Sequence, residues 1–412
     1  MKTLYILAIC LACFTCAAKS SDTLSDSIGV SGFARVVGGQ LDTSEAEFQG
    51  YSNDFSFSEQ SLFALQADLS ISEKLKLSAQ LLGHSNDDRD SGLEWLYLTY
   101  NANSNWSFKL GKLRTPFFRY SDVLDVGFAY PWISPPEQVY GGFLFSNYEG
   151  LSATYRIHFD KLNVEVEAYY GTYDGTFDRA GEETAIEVND IRGLILGMSK
   201  GAFRARASAI VSSDFFADIP GFQDFATLLE LAGYTENADV FRFDSDAVAY
   251  QASLQYDSLD YFVYSEVIKI ESDLISVPEV NAYYLTLGYH FDEFQIFTTI
   301  ASANSSNDVP TNQIPKGQSP QLTSLSFAYD AIVDSLPRYD LDSLSVGLRW
   351  DFRHNMSAKA EVTWLSGEEG QNSFYSEIKN PAFDRNAVLT QFALEWVCLL
   401  YTSPSPRDQE AS

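Results

Sequence analysis

Apolar and polar residues alternate along most of this chain. From Phe63 to Ile71 the odd positions are apolar and the even positions are polar or small, and from Met356 to Trp364 the even positions are apolar. The same alternation recurs over residues 162–170 and 203–211. Because successive side chains of a β-strand point to opposite faces, this period of two predicts strands with one apolar and one polar face. Repeated segments of about ten such residues are typical of transmembrane β-barrels.

The connections between the predicted strands fall into two classes of length. Seven are short turns and eight are longer, mostly polar segments, which together require sixteen antiparallel strands. The short turns are expected near Glu73, Asn103, Asp160, Gly201, Ser258, Asp292 and His354. The long loops are expected at residues 40–58, 85–91, 115–147, 173–187, 214–245, 272–279, 304–340 and 366–386. Short periplasmic turns and long outer loops are the asymmetry of outer-membrane barrels.

Such a sheet must close on itself in a membrane, because an open edge would leave backbone N–H and C=O groups without partners in lipid. Sixteen strands enclose too wide a space for side chains to fill, so the sequence predicts an aqueous lumen. Aromatic residues beside the short turns are then expected to form a girdle at the membrane interface. They are Tyr100, Trp106, Phe159, Phe291, Phe294, Trp350 and Phe352.

The first residues have the pattern of a secretory signal peptide. Lys2 precedes an apolar run from Leu4 to Phe14, which is too short to span a bilayer, and small residues follow as far as Ala18. Cleavage is expected after Ala18, which leaves residues 19–397 as the barrel. A lipoprotein signal is the alternative, but the triplet expected before a lipidated cysteine is missing.

The end of the chain departs from the barrel pattern. Phe392, Leu394 and Trp396 share one face of the last predicted strand, and Cys398 stands where a terminal aromatic residue is expected. The residues that follow resemble a translated sequencing adapter. We therefore expect residues 398–412 not to be native, and the alternative is a genuine periplasmic extension.

The chain is strongly acidic, with a formal net charge of −29 over 412 residues, and much of this charge falls in the long loops. Nucleic acid would repel it, so no nucleic-acid partner is expected. The expected surroundings are outer-membrane lipid and lipopolysaccharide. The acidic loops are either a solvated rim or sites for divalent cations that bridge lipopolysaccharide.

Signals for catalysis are missing from the sequence. His84, His158, His290 and His354 are scattered without metal-ligand spacing, and there is no nucleophile elbow, phosphate loop or paired cysteine motif. Three of the four cysteines belong to the signal peptide, so no disulfide framework is expected. The sequence predicts no enzyme activity, no cofactor and no metal site.

The third long loop is too aromatic for a loop exposed to water. Residues 111–145 include nine large aromatic side chains and four prolines, which would stiffen the segment. Folding inward against the barrel wall would bury these rings and narrow the lumen. The residues expected at this constriction are Arg119, Tyr120, Asp122, Asp125, Tyr130, Trp132 and Glu137.

This loop resembles the constriction region of general outer-membrane porins of the gamma-proteobacterial type. The matching residues are Tyr120-Ser121-Asp122, Leu124-Asp125-Val126-Gly127, Ala129-Tyr130-Pro131-Trp132-Ile133 and Pro135-Pro136. The resemblance is local and specific. It implies a passive, water-filled pore for small hydrophilic solutes, assembled as a homotrimer.

Basic residues on the polar faces of the strands are candidates for the channel wall. Alternation places Lys109, Arg156, Arg204, Arg206 and Arg349 toward the lumen. Facing an acidic loop, they would create a transverse field that orients dipolar solutes. The alternative is that they pair with strand acids, as Arg156 would with Glu165 or Glu167.

Two further basic residues, Lys112 and Arg114, fall out of register with Lys109. They are included as wall candidates with their direction left open, and a β-bulge is expected near Gly111.

Three functions are compatible with these patterns. The first is a general diffusion porin, and the second is a channel of the same fold selective for oligosaccharides or small anions. The third is a hydrolase on a barrel, for which no Ser/His/acid set can be assembled. A short amphipathic helix at residues 220–234 is expected to cap the rim from within the fifth loop.

Overall fold

The computed structural model describes residues 27–86, 91–141, 146–179, 182–217, 221–239, 241, 246–272, 277–307, 309–334, 336 and 338–399. The predicted signal peptide and residues 400–412 of the predicted tail lie outside this range. The barrel strands are β1 (Ile28–Leu41), β3 (Leu62–Ser72), β4 (Leu75–His84), β5 (Gly92–Asn101), β6 (Trp106–Arg114), β7 (Asn147–Phe159), β8 (Leu162–Arg179), β9 (Glu182–Lys200), β10 (Phe203–Ala217), β11 (Ala247–Asp257), β12 (Tyr261–Ser272), β13 (Glu279–Phe291), β14 (Phe294–Ser306), β15 (Leu341–Arg353), β16 (Met356–Gly367) and β18 (Asn386–Leu399). Two short strands, β2 (Ala46–Phe48) and β17 (Tyr375–Ile378), form a separate sheet.

The sixteen barrel strands form one closed antiparallel sheet, as the sequence predicts. Each strand pairs with the next barrel strand along the chain, and β1 pairs with β18 from Ser31 opposite Leu399 to Leu41 opposite Leu389. Closure gives every barrel strand two neighbours, which satisfies the backbone in lipid. Cys398 and Leu399, the first residues of the predicted tail, belong to this last strand, with Cys398 opposite Gly32.

The seven short turns lie where the sequence predicts them, and each joins two strands through two to four residues. The prediction of a fourth long loop at 173–187 is wrong. After a register shift at Gly171, the β8–β9 ladder resumes at Tyr173 opposite Val188 and continues to Arg179 opposite Glu182. This hairpin extends beyond the segment in which apolar and polar residues alternate. In the extension, charged and polar residues interrupt the alternation, so the sequence pattern does not indicate strands there.

The prediction of a bulge near Gly111 is also wrong. The register of β6 stays continuous through Gly111 with both of its neighbours, Tyr97 on one side and Gly150 on the other. Gly111 instead adopts a φ of +139°, where a Cβ would lie 2.3 Å from the carbonyl oxygen of Leu96. Only glycine fits that position without a shift of the backbone.

The outer face of the barrel is apolar, and the inner face carries the polar alternates. Leu110, Leu194 and Leu254 are exposed on the outside, whereas Glu266 and Ser357 are buried inside. Aromatic pairs at the periplasmic end include Trp106–Tyr155, Phe203–Tyr256 and Phe291–Phe294, with ring centroids 4.6, 4.6 and 5.4 Å apart. Such rings suit the membrane interface. Among the described residues, no helix is both long and apolar enough to cross a membrane.

The outer loops pack on one another. The β2–β17 sheet joins the first and eighth loops beside the β1–β18 seam. The fifth loop contains the helix Phe222–Leu231, within the segment predicted to be helical, and the seventh contains the helix Pro320–Asp334. These helices meet around the buried rings of Phe241 and Tyr329, so the predicted rim helix packs on another loop.

Candidate functional site

The described part of the third long loop, residues 115–141 and 146, folds into the barrel, and we call it the infolded loop. Its ends meet at the wall, where the backbone N–H of Thr115 donates to the carbonyl oxygen of Ser146 at 2.9 Å. Five of its described aromatic side chains are buried, namely Phe117, Phe118, Tyr120, Tyr130 and Trp132, and only 1% of Trp132 and 2% of Tyr130 are exposed. Water exclusion from these rings stabilises the infolded position.

Aromatic and acidic contacts fix one side of this loop to the wall. Trp132 Nε1 donates to Thr299 Oγ1 at 2.9 Å and its ring packs edge-on against Tyr284. Glu266 on β12 accepts hydrogen bonds from the backbone N–H of Arg119 at 2.9 Å and from the hydroxyl of Tyr140 at 2.6 Å. This side of the loop therefore packs against the arc of the barrel wall that begins at strands β11 and β12.

Basic side chains hold the same loop through its backbone carbonyls. Lys359 Nζ on β16 lies 2.8, 2.9 and 2.7 Å from the carbonyl oxygens of Gly127, Tyr130 and Trp132, and 2.9 Å from Glu395. A loop inside a barrel has no strand neighbour for these carbonyls, and buried carbonyls need donors.

Two arginines extend this set of anchors. Arg349 Nη1 donates to the carbonyl oxygens of Phe128 and Tyr130 at 2.9 and 3.1 Å. Arg35 Nη1 lies 3.3 Å from both the Tyr130 hydroxyl and the Ile133 carbonyl oxygen. Sequence analysis did not single out Arg35 or Lys359, although alternation placed Lys359 on the polar face of its strand.

Several predicted constriction residues serve in packing. Asp125 forms a buried ion pair with Arg114, with Nη1 and Oδ2 2.6 Å apart. Tyr120, Tyr130 and Trp132 form edge-on and tilted ring contacts with one another, and Glu137 accepts a hydrogen bond from Gln49.

The loop leaves two cavities against the opposite arc of wall, strands β3 to β10. The outer cavity, about 260 Å³, lies toward the loop ends of the strands, and the periplasmic cavity, about 290 Å³, lies toward the short turns. Pro116, Asp122 and Glu167 line both cavities. The boundary between the cavities therefore lies at the acidic pair Asp122 and Glu167.

The predicted charges are distributed around these cavities as follows. Arg119, Asp122, Arg156, Arg204 and Arg206 line the periplasmic cavity, and Lys109, Arg114 and Asp122 line the outer one. Lys112 lies opposite Leu96 on the outer face of the barrel, where its Nζ donates to the carbonyl oxygen of Leu93.

The wall arginines have unlike partners. Arg156 Nε pairs with Glu165 Oε2 at 2.7 Å, and Arg206 Nη1 donates to the carbonyl oxygen of Phe117 at 2.6 Å. For Arg204 the described residues provide no hydrogen bond or ion pair. Arg204 is thus the wall arginine most available to a passing solute.

The carboxyl group of Glu137 lies in the infolded loop, outside the spanning strands. Burial raises its pKa above the usual range, and the hydrogen bond from Gln49 offsets only part of that effect. The folded protein therefore holds this proton more tightly than the unfolded chain does. This stabilises folding at low pH, and the contribution is lost as the pH rises from the unfolded pKa of about 4.3 through the raised folded value.

We expect Glu137→Gln to raise the unfolding temperature at about pH 7, because it removes a half-buried charge, and to change it less at about pH 4. Thermal unfolding in detergent at both pH values measures the difference. Glu369→Gln, at an exposed loop position, is the matched control. An effect of Glu137→Gln that is the same at both pH values would contradict this reasoning.

Comparison with known proteins supports the fold. No family model and no curated protein matches the chain. Among solved structures, in-vitro folded OmpT, an outer membrane protein of Vibrio cholerae, is 13% identical over 92% of this chain and 100% of its own, with a TM-score of 0.54. The anion-selective porin from Comamonas acidovorans is 11% identical over 90% and 99%, with a TM-score of 0.54. Salmonella typhi OmpF in complex with daunomycin is 13% identical over 92% and 100%, with a TM-score of 0.53.

At these identities the likeness concerns the architecture. The closed barrel of sixteen strands, apolar outside and polar inside, defines an outer-membrane β-barrel protein. Its fold is that of the porins.

Proposed function

We propose that this protein forms a water-filled channel for the passive diffusion of small hydrophilic solutes and ions across the outer membrane. The observation that carries the proposal is the placement of the infolded loop. It is anchored mainly on the arc of wall that includes β12, β14 and β16, with further contacts from Arg114 on β6 and Arg206 on β10, and it leaves charged cavities against strands β3 to β10. A channel needs such a fixed narrowing with polar lining.

The proposal includes three further points. The protein catalyses no reaction and uses no cofactor. It assembles as a homotrimer, as the sequence resemblance implies; a trimer form of OmpT from Vibrio cholerae is one of the structural matches. Its acidic outer loops meet lipopolysaccharide.

Single-channel recording with the purified full-length protein in planar bilayers tests the main proposal. We expect discrete, ohmic conductance steps in simple salt solutions. Folded protein that inserts into the bilayer without such steps would contradict a diffusion channel.

We expect a modest preference for cations at low salt that weakens as the salt concentration rises. The acidic loops enrich cations at the mouth, but salt of about 0.15 M screens exposed charges beyond roughly 8 Å. The wall cations lie beside any ion in the narrow zone and are screened less. Reversal potentials across a tenfold gradient, at two mean concentrations, measure the effect.

Arg204→Gln should increase cation preference most at high salt, where the wall dominates. Arg192→Gln is the matched control, because Arg192 is exposed and lies near Asp190 away from both cavities. A strong anion preference of the parent at low salt would contradict the argument and favour the anion-selective channel.

A further inference from the structure

The outer cavity combines aromatic rings with hydrogen-bonding groups. Trp95 and Tyr97 on β5 and Tyr148 on β7 supply the rings, and Lys109 and Glu167 are among the polar groups. Aromatic surface with a few placed polar groups is the usual composition of a small-molecule site. A solute arriving from outside meets this cavity before the Asp122–Glu167 boundary.

Two buried donors of this cavity have no partner within the described part of the chain. They are the indole N–H of Trp95 and the Nη2 of Arg114, in residues that are 9% and 8% exposed. Both side chains line the cavity. A buried donor without a partner is costly, so a ligand that supplies acceptor oxygens gains by satisfying it.

The charges around the cavity balance. Lys109 and Arg114 are basic, and Asp122 and Glu167 are acidic, so the lining favours neither an anion nor a cation. An uncharged ligand that both donates and accepts hydrogen bonds matches this lining. A pyranose sugar has those hydroxyl groups, and its C–H faces stack on aromatic rings.

The size of the cavity limits the ligand. About 260 Å³ is below the ~300–1,000 Å³ typical of pockets for drug-sized ligands. The cavity thus suits a single sugar ring.

We propose that the outer cavity is a binding site for a neutral hexose, held by stacking on its aromatic rings and by hydrogen bonds to Trp95 and Arg114. The proposal rests on the channel function and deepens it, because it names a solute class that the channel retains during passage. The site binds weakly enough for release, since binding in a channel must allow exit.

The experiment measures single-channel current while glucose is titrated on the outer side. We expect glucose to reduce the current saturably and to add current noise. An uncharged polyethylene glycol of matched hydrodynamic size should reduce the current without saturation. The parent protein and each variant are first shown to be folded by heat-modifiable gel mobility.

Trp95→Phe keeps a ring and removes the N–H donor. We expect it to weaken the apparent affinity for glucose by about threefold to tenfold, the value of one hydrogen bond. Trp364→Phe, on the exposed outer face of β16, is the matched control and should leave the affinity unchanged.

Three results would overturn the inference. Glucose that acts without saturation, like the polymer, means that there is no site. Saturable block by the zwitterion glycine but not by glucose means that the ligand class is wrong. Equal glucose affinity in Trp95→Phe and the parent means that the site is elsewhere. In all three cases the parent protein still conducts ions. A folded parent protein that conducts no ions would instead refute the channel function itself.

Discussion

Deleting residues Ser121 to Pro135 is expected to raise single-channel conductance about twofold, because a barrel of sixteen strands is a wide aqueous channel once its interior is cleared. The deletion removes Trp132, which lies in the lumen beside β13 and β14, and Tyr130, which packs on Trp132 and contacts Arg35 on β1. The shortened loop can still close, because its two ends, Thr115 and Ser146, already meet at neighbouring strands. Current steps in planar bilayers at fixed salt and voltage provide the measurement.

A control deletion of equal length is available outside the barrel. The helix Pro320–Asp334 in the seventh loop also has 15 residues and packs on other outer loops. Its removal should change conductance less than removal of the loop segment. If the inner deletion left conductance unchanged in folded protein, the infolded loop would not limit the current.

The strands were the most predictable part of this protein, for a physical reason. Lipid on one side and polar surroundings on the other impose a period of two on apolar and polar residues. This period is recognisable along a strand even where a single position departs from it. This constraint does not apply to strand segments outside the membrane. The β8–β9 hairpin beyond Tyr173 has no lipid face, so its strands lack the alternation and were predicted as loop.

The candidate site was predictable only in part. The aromatic content of the infolded loop indicated that it must pack against something. The identity of its anchors depends on how the loop folds, because Lys359 and Arg349 bind backbone carbonyls that have no sequence signature. For the same reason Asp125 and Glu137 could not be separated in advance from Asp122, which alone of the three lines the outer and periplasmic cavities.

Replacing Lys359 by methionine should lower stability strongly and loosen the infolded loop. The side chains of Lys359 and Glu395 are 1% and 2% exposed, so the substitution leaves a buried carboxylate without its cation. Removing one partner of a buried pair typically costs about 3–5 kcal/mol. The carbonyl group of Trp132 loses the Lys359 donor at the same time, whereas the carbonyl groups of Gly127 and Tyr130 keep the backbone N–H of Tyr130 and the guanidinium group of Arg349, respectively. Thermal unfolding and open-channel current noise are the two measurements.

A double variant separates the ion pair from the carbonyl contacts. Adding Glu395→Gln to Lys359→Met removes the unpaired charge and should restore part of the stability. The current noise should stay high, because the loop carbonyls still lack the ammonium group. Lys269→Met, which breaks an exposed pair with Glu271 on the outer face, should change neither quantity by much. Quiet channels in Lys359→Met would show that the remaining contacts, including those of Arg349 and Glu266, fix the infolded loop without Lys359.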